Sequence, residues 1–171
     1  MKIRIKFRRF GTMKFLGHLD LMRYFQKAVR RAQIDICYSE GYSPHQIMSF
    51  AAPLGVGITS DGEYFDIEVN STMNTKQALE ALNATMVEGI EVTGYVALPD
   101  NAKTAMAIVA AADYRLTFKE GYESPCSTLE WQEHIRTLFS EQDSFTILKK
   151  TKKSEREVDL KPLVYKLTVE E

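Results

Sequence analysis

Cysteine is scarce in this chain of 171 residues: there are two, Cys37 and Cys126. They lie far apart and outside any CxxC or Cys/His ligand spacing, which argues against a zinc site, and no metal is expected. Both read as ordinary half-buried thiols. The same spacing gives no sign of an iron–sulfur cluster, and no cofactor is expected. Long apolar runs are missing too. With no stretch of 18 or more apolar residues, a membrane-spanning helix is excluded. The start, MKIRIKFRRF, alternates charge with apolar residues where a signal peptide would show an unbroken apolar block. The expected location is therefore the cytoplasm, with no membrane partner.

A strong net charge is also absent, at −1 overall, yet the charges are segregated along the chain. Residues 1–50 carry 10 Lys/Arg against 3 Asp/Glu, residues 51–145 carry 5 against 15, and residues 146–171 carry 7 against 5. That asymmetry predicts a basic face and an acidic one, and a basic face suits a polyanion such as RNA. With 44% hydrophobic composition, the chain can bury a sizeable core.

Ile3, Ile5 and Phe7 alternate with Lys2, Arg4, Lys6 and Arg8, the period of a strand with one wet face, here wholly basic. From His18 to Ala32, the residues Leu21, Met22, Phe25, Ala28, Val29 and Ala32 form one helical stripe. Asp20, Tyr24, Lys27 and Arg31 are expected opposite, with Arg23 and Arg30 on the flank. Gln46–Leu54 and Glu63–Val69 read as a strand pair, and Asn74–Met86 as a second helix capped by Asn74. Ile90–Leu98 is a further strand. The order β, α, β, β, α, β is that of a ferredoxin-like sandwich, so the fold class is α+β with a first domain over 1–99. LPDNAKTA then reads as a linker over 100–106. Over 107–171 the pattern predicts a strand (Ala107–Lys119), a helix (Thr128–Glu141) and two strands (Phe145–Lys150 and Leu163–Val169). That is a second, incomplete ferredoxin-like βαββ unit, truncated or abbreviated.

Four motifs carry a resemblance. FLGHLDLMR spans Phe15–Arg23, SEGYSPH spans Ser39–His45, Ser49-Phe50 is followed by Pro53-Leu54-Gly55, and VDLKP spans Val158–Pro162. Together they resemble a bacterial domain of unknown function known as the radical-SAM-associated or radical-SAM-linked protein. The motif positions are His18, Asp20, Arg23, Ser39, Gly41, Pro44, His45 and Ser49. The resemblance implies a partner, a cobalamin-binding-type radical-SAM protein encoded beside the domain or fused to it. Glu40 and Ile47 depart from the family's usual residues and weaken a phosphate-gripping role for the loop.

In that loop Gly41 permits a backbone conformation barred to other residues, and Ser43-Pro44 fixes a turn. Tyr38 and Tyr42 would offer faces for base stacking, and His45 a hydrogen bond or acid–base group. Equally, Tyr42 could lie over the sheet and His45 satisfy a carbonyl. Both are expected at the rim of a concave surface beside the start of the first helix. His18 and Asp20 project about 160° apart at 100° per residue, so they do not form a pair by helical geometry. His18 and His45 remain weak candidates for acid and base in a metal-independent ribonuclease. Arg23, Lys27, Arg30 and Arg31 on the helix, and Lys149, Lys150, Lys152 and Lys153 with Arg156 on an exposed hairpin arm, are the candidate phosphate contacts. Glu63, Asp66 and Glu68 read as a solvent-exposed acidic face, or one that docks a basic protein surface. The leading expectation is an accessory, non-enzymatic RNA-binding module acting with a radical-SAM enzyme in tRNA or rRNA modification or processing. A small RNA-processing enzyme and a protein-docking module are the alternatives.

Overall fold

The computed structural model describes residues 1–151 and 154–170, in two compact units, Met1–Asp113 and Tyr114–Glu171. The first opens with β1 (Lys2–Arg9), whose side chains alternate between half-buried and buried. Ile3, Ile5 and Phe7 are fully buried, each contributing about 1.5–3 kcal/mol relative to exposure. A 3-10 turn (Gly11–Phe15) leads into α1 (His18–Arg31), which buries Leu21, Phe25, Ala28 and Val29 at helical spacing. β2 (Met48–Phe50) and β3 (Ser60–Glu68) follow, then α2 (Thr75–Asn83) and β4 (Ile90–Leu98). The Asn74 side chain caps α2 by accepting from the Gln77 amide at 2.9 Å, as the sequence pattern anticipates.

These strands form one sheet in the order β2-β3-β1-β4, with every pairing antiparallel. The unit is therefore mixed α+β, with residues of α1 and α2 joining Ile3, Ile5 and Phe7 in a single core. Phe7, Phe25, Phe50 and Phe65 make its centre, with Phe7–Phe25 and Phe25–Phe65 centroids both 4.7 Å apart. β2 is shorter than the expected Gln46–Leu54, because Pro53 has no amide for a ladder and a turn at Gly55–Ile58 takes the chain away. In β4 the register to β1 slips between Lys6 and Phe7, so the buried positions run Ile90, Val92, then Tyr95. Such a bulge moves the inward phase by one residue. Gly89 has φ +97, and an added Cβ there would lie 2.6 Å from Met13 Cγ. Only glycine fits where β4 begins.

The other sheet face changes the meaning of the basic strand. Arg4 holds Asp66 through two bonds, Nε–Oδ1 at 2.8 Å and Nη2–Oδ2 at 3.0 Å. These bonds hold the Arg4 pKa above its ordinary value. Arg8 meets Asp61 at 2.9 Å and Glu91 at 3.5 Å. Lys6 Nζ sits 5.8 Å from the Tyr64 ring centroid, and Lys2 is opposite Glu68 in the register. Asp66 is thus a buttress inside the sheet, not part of an exposed acidic face.

The stretch expected as a linker and strand start behaves differently. Arg4 Nη2 donates to the Lys103 carbonyl at 2.9 Å, and the Ala105 amide donates to Asp66 Oδ2 at 2.7 Å. Those bonds seat a short α3 (Ala105–Ile108) with Ala105 buried. Residues 100–113 consequently belong with the first compact unit, where the sequence reading ended that domain at 99.

The second unit contains α4 (Thr128–Arg136), continued by a π turn (Thr137–Glu141), and a hairpin of β5 (Thr146–Lys150) and β6 (Glu155–Asp159). Ser127 and Glu130 form a reciprocal capping box, and hydrogen bonds from Ser127 lower the Glu130 pKa. Asp159 accepts from the amides of Phe145 and Lys161 at 3.1 and 3.0 Å, which closes the hairpin and accounts for the aspartate of the VDLKP motif. The expected strands Ala107–Lys119 and Leu163–Val169 are not strands. Their alternation, Tyr114, Leu116, Phe118 and Tyr165, Leu167, Val169, has no ladder partner, and β6 takes the pairing with β5.

Candidate functional site

α1 carries the largest unneutralised charge of the first unit. Taking 100° per residue, Arg23, Lys27, Arg30 and Arg31 share one face, opposite the buried stripe, and all four are exposed. Arg23 makes a 3.3 Å contact with Asp20, whose acid also favours the helix start. Among the described residues Lys27, Arg30 and Arg31 have no acid partner in ion-pair range. Arg30 and Arg31 lie in the last turn, where a cation also meets the negative helix end. Tyr24, expected on this face, turns away: its hydroxyl accepts from the Val87 amide at 2.8 Å and contacts Met86 Sδ at 3.6 Å. It braces the helix against the connection between α2 and β4.

Beside this face stands the loop between α1 and β2. Tyr38 bridges to Gln46, the Ile47 amide donates to Cys37 O at 2.9 Å, and the Ser39 amide donates to His45 O at 2.8 Å. The loop is a small hairpin. Its base is tied to α1 by Gln46 Nε2, which donates to the Gln26 carbonyl at 3.1 Å. That carbonyl also takes the Arg30 amide in the helical pattern, so the hairpin rises along the flank of the basic face. Gly41 has φ +107 with open space around it, which a turn at this tip requires. Tyr42 is fully exposed and Tyr38 is 49% exposed. Pro44 and His45 are exposed as well. The hairpin projects from mid-helix, so Tyr42 and His45 do not lie beside the helix start as expected.

Ser39 organises the histidine. Its Oγ accepts from the His45 amide at 3.1 Å and lies 2.8 Å from His45 Nδ1. The two contacts fix the orientation of the His45 ring relative to the loop backbone, whichever of Oγ and Nδ1 donates in the second.

His18 is elsewhere. It is half-buried with its ring edge-on to Phe50 at 5.5 Å, and Phe50 is part of the core. Gln46, the neighbour of His45, is fastened at Gln26. His18 and Gln26 are eight residues apart on α1, about 12 Å of helical rise. The two histidines are not brought together as acid and base. Ser49 is exposed and pairs in register with Asp66. On the hairpin of the second unit, Lys150 pairs with Glu155 at 3.0 Å, while Lys149 faces Arg156 across the ladder. Two cations directly opposite repel. Lys152 and Lys153 lie outside the described residues.

Arg9 is one of the 10 Lys/Arg of residues 1–50, and the sequence pattern alone gave it no separate role. It is fully buried, donating from Nη1 to Leu16 O at 3.0 Å and from Nη2 to Gly55 O at 3.4 Å. The period of two that buries Ile3, Ile5 and Phe7 also points position 9 inward, and that was the available signal. Among the described residues no group of three His, Cys, Asp or Glu is placed to hold a metal ion, and no helix is long and apolar enough to cross a membrane.

A mixed α+β chain that presents a basic helix face and a projecting aromatic hairpin is the class these features define. The chain belongs to the bacterial family DUF2344, described as an uncharacterized protein conserved in bacteria, whose model matches residues 2–171. No curated protein matches the chain.

Proposed function

We propose that this chain is an accessory RNA-binding module that works beside a radical-SAM enzyme of the cobalamin-binding type in tRNA or rRNA modification or processing. The observation that carries the RNA half is the face of α1, where Lys27, Arg30 and Arg31 stand exposed without acid partners next to the Tyr38–His45 hairpin. Cations for phosphates and rings for bases are what such a ligand needs. The Lys149–Arg156 opposition on the β5–β6 hairpin adds support, because a polyanion would relieve its repulsion. The radical-SAM half rests on the motif resemblance and on the absence of cluster-binding cysteines, which leaves the chemistry to a partner. We read the first unit as a ferredoxin-like sandwich, supported by its element order and by the strand order β2-β3-β1-β4.

The test is a gel shift with total tRNA and rRNA fragments across a salt series. Reversal of Arg23, Lys27, Arg30 and Arg31 to Glu should abolish the shift and flatten its salt dependence, with the circular dichroism spectrum unchanged. A quadruple variant that binds like the parent at low salt would falsify the proposal. The exposed apolar side chains of the second unit, among them Leu116 and Tyr165, favour a second reading as a protein-docking module. In that case no RNA shift is seen, and the purified radical-SAM partner binds with little salt dependence.

A further inference from the structure

The exposed face of α1 is not charged along its whole length. Leu19 lies one turn before Arg23 on the same stripe and is 61% exposed. Phe15, in the turn just before the helix, is 64% exposed, and Lys14 Nζ lies 5.2 Å from its ring centroid. The chain therefore sets an aromatic ring with its own cation ahead of the basic stripe, and Tyr42 on the hairpin beside it. Neither ring joins the aromatic cluster of the core, so neither exposure is explained by packing.

We infer that the RNA held by this face is an unpaired strand, laid along α1 with one base stacked on Tyr42 and another on Phe15. This rests on the RNA reading above and names the class of RNA. Bases within an A-form helix have both faces covered by their neighbours, and the deep, narrow major groove admits no protein helix. An exposed ring gains from RNA only where a base is splayed out to stack on it. Arg23 lies between Phe15 and the hairpin's attachment at Gln26, and Lys27, Arg30 and Arg31 continue past it along the helix, so that these cations take the strand's phosphates. With four of them engaged, the log–log salt slope for a single strand is about −3.

The experiment uses the full chain and a labelled, unstructured oligoribonucleotide of mixed sequence, alone or annealed to its complement, with binding read by fluorescence anisotropy. Phe15→Ala, Tyr42→Ala and the triple variant Lys27→Glu/Arg30→Glu/Arg31→Glu are compared with the parent, each checked for an unchanged melting temperature. The single strand should bind more than about tenfold tighter than the duplex. Each aromatic variant should lose about fivefold to a hundredfold on the single strand, the worth of one stacked base, and nothing on the duplex. Equal binding of strand and duplex, or aromatic variants that bind like the parent, overturns this inference. In that outcome, a loss confined to the triple variant keeps the RNA reading. Absence of binding to either form removes both.

Discussion

Arg9 brings a guanidinium into a core that offers it two carbonyl oxygens, while its Nε has no partner among the described residues. Those carbonyls belong to Leu16, just before α1, and to Gly55, in the loop after β2. The same two loops are joined by the Gly57 amide donating to Lys14 O at 2.8 Å. Arg9 is therefore a staple beneath the corner that presents Phe15 and Leu19. Arg9→Met keeps much of the stem volume and removes the side-chain donor from both carbonyls, leaving Gly55 O only the Ile58 amide at 3.4 Å, so urea unfolding should show a loss of about 1–3 kcal/mol. A variant as stable as the parent would mean that burying the cation costs as much as its bonds return. Strand alternation made the inward position of Arg9 legible. Its partners come from chain segments that no local pattern connects.

At the scale of elements, the exit from α1 is fastened to the end of β3 by Asp35. Its carboxylate accepts from Asn70 Nδ2 at 3.0 Å and Ser71 Oγ at 2.7 Å. These bonds, Asn70 first, lower the Asp35 pKa. A depressed folded pKa contributes stability above the ordinary carboxylate value and loses it as pH falls through the folded one. Asp35→Asn should therefore flatten the acid limb of the stability–pH curve below about pH 4, with its deficit against the parent larger at neutral pH. Thermal melts across that range decide it, and an acid limb unchanged in the variant would assign the tie no role. β1, α1 and α2 were legible because each holds its own period, whereas β4 was legible as a strand but not in the phase that its bulge imposes. The 107–119 and 163–169 segments hold a period of two as well, yet no strand forms there. Alternation shows which side chains share a face, whereas a strand also needs a neighbour for its amides and carbonyls.

At the scale of the whole molecule, the two units differ in how much they bury. Among the described residues, the first contains all the buried core residues, from Ile3 to Ala105. Among the described residues of the second, none is buried, and Leu116 and Tyr165 are 89% and 83% exposed. A unit with so little apolar burial has little to offset its chain entropy. Limited trypsin digestion of the full chain should cut first beyond Asp113 and leave a resistant fragment that contains residues 2–98. Early cleavage within α1 or the four-stranded sheet would contradict this ordering of stability.

The sequence by itself determined the period of β1, α1 and α2, the core positions on β1 and α1, the cap of α2 and the glycine at the hairpin tip. All of these follow from local sterics and spacing. Only the tertiary structure decided where the charge remains. Antiparallel register brings Asp61 and Asp66 from β3, and Glu91 from β4, against the arginines of β1. The acid-rich middle of the chain thereby neutralises the strand that made its start look most basic. α1 lies outside that register, and among the described residues its Lys27, Arg30 and Arg31 stay without an acid partner. The reason is physical: side-chain direction is set by the residue's own backbone, whereas a charge is neutralised by whatever the fold places within a few ångströms of it.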